Sequence, residues 1–114
     1  MKWVLVVDDD DDGREIVVEC LNQAGYQARG VSGGAAALEV LRTERPSLVL
    51  SDLYMRGMNG KELLIRARQQ DASMPPFVFV TGADSSKLQD VSGAVLYKPF
   101  ESHQLLDVVA HHCG

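Results

Sequence analysis

The chain has 114 residues, 46% of them hydrophobic, and carries 16 acids against 11 bases for a net charge of −5. That length suits one globular domain over residues 1–114 and is too short for two. Five of the acids form one run, Asp8–Asp12; outside it acids and bases balance at 11 each, with no basic stripe for nucleic acid or an anionic membrane surface.

No stretch approaches the ~20 apolar residues of a membrane span. The apolar run after Lys2 is too short for a secretory signal, which predicts a cytoplasmic protein with no direct nucleic-acid or membrane partner. Cys20 and Cys113 lack metal-ligand or disulfide spacing, and Cys113 with His111 and His112 reads as a solvated tail.

Lys2–Val7 is a short run rich in β-branched residues, which predicts a strand buried on both faces. In the helical pattern that follows, Asp12 and Glu15 form a capping box. Ile16, Val17, Cys20, Leu21 and Ala24 make an apolar stripe ending at Gly25. Tyr26–Val31 is a weaker strand. Ser32 is placed to cap a second helix running to about Thr43, which Pro46 prevents from continuing. Ser47–Ser51 is a third buried strand, followed by Asp52 and a loop punctuated by Gly57 and Gly60; Lys61–Gln70 is helical. After Pro75-Pro76, Phe77–Val80 is a fourth strand closed by Thr81-Gly82, and Ala94–Tyr97 a fifth closed by Lys98-Pro99. Between them Ser85–Val91 holds only about two turns of helix. Glu101–His112 is the last helix. The alternation of strands and helices implies an α/β domain with a parallel sheet.

In such a sheet the strand ends that precede the helices share one edge, and ligands bind in the crevice there. The first strand delivers Asp8 and Asp9 to that edge, the third Asp52, the fourth Thr81 and the fifth Lys98. Two like charges 4 Å apart repel by about 4 kcal/mol at an effective dielectric near 20, so three gathered carboxylates call for a cation. Oxygen ligands in an open site suit Mg²⁺. Beside it, an ammonium and a hydroxyl would bind phosphoryl oxygens. Asp52 is the candidate nucleophile, because a carboxylate can form an aspartyl phosphate.

Val4 to Asp9, Leu48 to Gly60, Phe77 to Gly82 and Leu96 to Phe100 resemble, in order, the signature segments of the receiver domain of two-component response regulators. The resemblance spans essentially the whole chain and implies a flavodoxin-like three-layer (βα)5 fold with strand order 2-1-3-4-5. It implies Asp52 as acceptor of a phosphoryl group from a phosphohistidine on a sensor histidine kinase or histidine phosphotransfer protein. Asp8, Asp9, Asp52 and the backbone carbonyl of Tyr54 would hold Mg²⁺, Lys98 would pair with the phosphoryl group and Thr81 would hydrogen-bond it. It also implies a cis Lys98-Pro99 peptide, a downstream output protein or domain, and no chemistry beyond the domain's own phosphorylation and dephosphorylation.

This chain departs from the family's pattern in three places. Val95 stands where an aromatic is usual, with Tyr97 expected on the opposite face of the strand. Arg56 replaces a common proline, restoring an N–H and predicting a less rigid loop. Only 16 residues separate Thr81 from Lys98, which predicts a shortened fourth helix. A rival reading is an EF-hand-like calcium loop: Asp8, Asp10, Asp12, Gly13 and Glu19 satisfy its pattern in full. The loop must be entered from a helix, however, and a strand precedes Asp8.

Overall fold

The computed structural model describes residues 3–82 and 94–113. Its strands are β1 (Trp3–Val7), β2 (Gln27–Val31), β3 (Leu48–Asp52), β4 (Phe77–Thr81) and β5 (Ala94–Tyr97). Its helices, among the described residues, are α1 (Asp11–Gln23), α2 (Gly34–Leu41), α3 (Gly60–Gln70) and α4 (Ser102–Cys113). The strands run parallel in the order β2-β1-β3-β4-β5. This is the flavodoxin-like topology expected. The predicted short helix over Ser85–Val91 lies outside the described residues.

The unbroken apolar runs become central strands because both faces of the sheet are covered. Leu5, Val7, Val49, Phe77 and Phe79 point to one side and pack with Ala37 and Leu41 of α2 and Leu63 and Ala67 of α3. Val4, Val6, Leu48, Leu50, Val78, Val80 and Leu96 point to the other, against Leu21 of α1 and Leu105 and Val109 of α4. Burying one such side chain contributes about 1.5–3 kcal/mol, more than the ~0.2–1 kcal/mol of an exposed ion pair. The sheet is therefore a rigid frame for whatever sits at its ends.

Four expectations need correcting. Asp10, not Asp12, caps α1: its carboxylate accepts the Gly13 N–H at 3.1 Å, and Asp12 lies in the first turn. Ser32 does not cap α2, whose N-cap is Gly33 with no side-chain bond. The helix start is closely packed: a Cβ on Gly34 would lie 2.7 Å from the Met58 sulfur. Tyr97 and Val95, two residues apart, share one side of the pleat; Val95 packs into the Leu5–Phe79 core, and Tyr97 at the strand end is half exposed. Cys113 is no solvated tail: it closes α4 and packs, partly buried, against the Val4–Leu96 side of the core.

Candidate functional site

The strand ends deliver the expected residues to one edge. Asp8 follows β1 and is only 6% exposed. Its Oδ1 accepts the Asp10 N–H at 2.9 Å, and its own N–H donates to the Val31 carbonyl at 3.2 Å. Arg14 fixes this turn from the helix side. Its Nη1 donates to the Asp8 carbonyl at 2.9 Å and its Nη2 to Asp11 at 2.6 Å. The Arg14 stem crosses β2 at Gly30, where a Cβ would stand 2.8 Å from the Arg14 Cγ.

Asp52 closes β3. The Leu53 N–H donates to the Val80 carbonyl at 3.0 Å, and the Gly60 N–H returns to the Leu53 carbonyl at 2.9 Å. The chain doubles back so closely that a Cβ on Gly60 would lie 2.6 Å from the Asp52 carbonyl oxygen. Asn59 then starts α3 by accepting the Glu62 N–H at 2.8 Å. Between Asp52 and Gly60, Met55 and Met58 pack against the core, as their apolar character predicts, and Gly57 adopts φ +78°.

Thr81 ends β4 and is buried, and its carbonyl accepts the Lys98 N–H at 2.8 Å. The Lys98-Pro99 peptide is cis. Lys98 Nζ reaches Asp52 Oδ2 at 3.5 Å. One oxygen from each of Asp8, Asp9 and Asp52 lies within 4.8 Å of the other two. Tyr54 sits two residues past Asp52, its side chain half exposed.

The electrostatics of the trio are uneven. Burial pushes the Asp52 carboxyl above its ordinary value, opposed by Lys98 and reinforced by the negative charges of Asp8 and Asp9. Asp9 is held below the usual range, chiefly by the Arg56 main-chain N–H. That N–H donates to Asp9 Oδ2 at 2.9 Å, and Arg56 Nε meets the same oxygen at 3.3 Å. Sequence reasoning missed this contact; the residue in place of proline was its one signal, read only as loosening the loop.

This donor set fits a hard divalent cation: all-oxygen ligands, like charges gathered within 4.8 Å of one another, and the Lys98 ammonium beside Asp52. The calcium-loop reading is not supported. Asp10 is engaged as a helix cap, and Glu19 is carried along α1 about 10 Å beyond Asp12 by the helical rise. A cleft of about 360 Å³ adjoins the carboxylates, with Asp8, Asp52 and Lys98 as its polar wall and Val17, Pro99 and Phe100 as its apolar one. No helix among the described residues is long and apolar enough to cross a membrane.

Comparison with known proteins points the same way as the geometry. Residues 4–110 match the family model described as the response regulator receiver domain. The chain is 37% identical over 114 residues to the response regulator receiver protein CpdR of Brucella abortus, covering 96% of this chain and 94% of that one. It is 32% identical over 110 residues to sporulation initiation phosphotransferase F of Bacillus subtilis, covering 93% and 89%. Among solved structures it resembles the chemotaxis protein CheY4 of Vibrio cholerae with a TM-score of 0.86 at 28% identity, covering 98% of each chain.

Proposed function

The chain belongs to the response regulator receiver domain family, and on that premise we propose that Asp52 accepts a phosphoryl group in a Mg²⁺-dependent reaction. The donor is a phosphohistidine on a sensor histidine kinase or histidine phosphotransfer protein. A carboxylate oxygen of Asp52 attacks phosphorus and forms the O–P bond, the P–N bond to the donor histidine breaks, and the leaving imidazole keeps its electron pair and takes a proton. Asp8, Asp9, Asp52 and the Tyr54 carbonyl would hold the Mg²⁺, which when bound supplies positive charge against the phosphoryl oxygens.

The observation that carries this reading is the convergence of Asp52 with Asp8, Asp9 and the Lys98 ammonium at one sheet edge. In the transferred state the Lys98 ammonium neutralises a phosphoryl oxygen and the Thr81 hydroxyl donates to another, biasing a conformational equilibrium that an output partner reads. Attack of water on phosphorus later breaks the same O–P bond and restores Asp52. The residues 1–114 act as a single cytoplasmic receiver domain, free-standing or within a longer regulator or hybrid kinase. It catalyses only its own phosphorylation and dephosphorylation.

Incubation with acetyl phosphate and Mg²⁺ tests this. The expected result is an acid-stable, base-labile adduct on the wild-type protein that EDTA prevents and Asp52→Asn abolishes. No adduct on wild type, or an undiminished one on Asp52→Asn, overturns the assignment.

A further inference from the structure

Among the described residues, two side-chain cations touch the carboxylate trio. Lys98 contacts Asp52 at 3.5 Å and Arg56 contacts Asp9 at 3.3 Å. Arg56 brings two different donors to a single oxygen of Asp9, its main-chain N–H and its Nε. The two differ in kind. The main-chain donor is set by the loop: Met55 and Met58 anchor its two sides, Met58 is wedged against Gly34, and Gly57 in the left-handed region turns the backbone between them. A proline at position 56 would have no N–H to give. The guanidinium has no such restraint, since the Arg56 side chain is 89% exposed and its contact is the longer of the two.

We propose that the Arg56 guanidinium is a built-in competitor for Asp9, which raises the Mg²⁺ concentration at which the acidic site fills while the neighbouring main-chain N–H keeps Asp9 in place. This deepens the phosphoryl-transfer reading and rests on its assignment of Asp9 as a metal-holding residue. Without a divalent ion, the guanidinium offsets part of the repulsion among three carboxylates. With one, the same Asp9 charge is shared between two cations that repel each other, so the side-chain contact weakens and the guanidinium turns to solvent. Arg56 is thus a positioning residue whose backbone and side chain act in opposite directions on one carboxylate.

The test is Mg²⁺ binding to the whole chain, followed by isothermal titration calorimetry at low salt and independent of any phosphorylation. Arg56→Ala and Arg56→Gln both keep the main-chain N–H and remove the charge. Each is expected to bind Mg²⁺ about 1.5- to 5-fold more tightly than wild type, the range set by an exposed ion pair. The gap should narrow in 1 M KCl, where the screening length is about 3 Å. Thermal unfolding in EDTA checks that the variants fold. A dissociation constant equal to or weaker than wild type in either variant overturns the proposal and leaves the phosphoryl-acceptor reading standing. Absence of Mg²⁺ binding in wild type and variants alike overturns both.

Discussion

Where the strands begin, Glu44 lies against both terminal nitrogens of Arg29, each at 2.9 Å, and Arg29 itself rests on the Trp3 ring 4.5 Å from its centroid. Asp71, at the same end, accepts from the Ser73 hydroxyl and N–H and from Arg45. Where the strands stop, Asp52 has one lysine at 3.5 Å and two further carboxylates for neighbours. The carboxyls of the first end are held below their ordinary range, Glu44 by Arg29 and Asp71 by Ser73 and then Arg45, while burial pushes Asp52 up. One sheet thus carries two treatments of the same functional group. At its base Glu44 and Asp71 each have their own partners; at its top three acids are gathered with less compensation, the arrangement on which the proposed cation site rests.

The contrast is broken most directly by removing the ammonium that faces Asp52. Lys98→Ala should slow phosphorylation of Asp52 by acetyl phosphate about 100-fold, the low end of the loss of one preorganised donor, with Mg²⁺ binding retained in calorimetry. A rate within twofold of wild type would deny Lys98 its role.

Next in size is Gly60→Ala, which drives a Cβ against the Asp52 carbonyl at 2.6 Å. It should cost about 1–3 kcal/mol of stability, as overpacking does, read by urea unfolding, and should displace the top of the sheet without touching its base. Unchanged stability would mean that the close return of the chain at Gly60 is dispensable.

The smallest effects sharpen the comparison by sign. With its carboxyl raised, ionised Asp52 opposes folding at neutral pH, and that penalty is relieved as pH falls through its raised value. With its carboxyl lowered, Asp71 contributes stability that is present above the ordinary carboxylate range and lost as pH falls through its depressed value. In metal-free buffer at pH 7, Asp52→Asn should therefore raise the melting temperature and Asp71→Asn lower it. The Asp52→Asn gain should fade on acidification while the Asp71→Asn loss persists to lower pH. Shifts of the same sign in both variants would erase the distinction between the two ends.

Much of this was legible in the chain because the strands are buried on both faces and so appear as continuous apolar runs; Ala94–Tyr97 matches its predicted bounds to the residue. Asp8, Asp9, Asp52, Thr81 and Lys98 could be gathered from sequence because a parallel α/β sheet puts every strand's end on one side. Tertiary geometry decided the rest. Four consecutive aspartates, Asp9–Asp12, can each cap a helix, and only the placement of Asp8 at the strand end selects Asp10. The start of α2 carries no side-chain cap, and the space at Gly34 is filled by Met58 from another loop, a contact that local sequence does not encode. Arg56 meets Asp9 across 47 residues of sequence, a contact no local pattern encodes. The calcium pattern failed for a related reason: it specifies spacing along the chain, whereas α1 decides where Glu19 goes in space.

Gly30 looks like a weakness in β2, a residue without a side chain in a strand bonded on one side only. The Arg14 stem occupies the space a side chain would take, and Arg14 in turn grips the Asp8 carbonyl and Asp11. A substitution at this outer strand would therefore be felt two residues from Asp10 and next to Asp9, through one displaced arginine. Changes at positions 14 and 30 should therefore couple, their combined effect on stability differing from the sum of the separate ones in a double-mutant cycle.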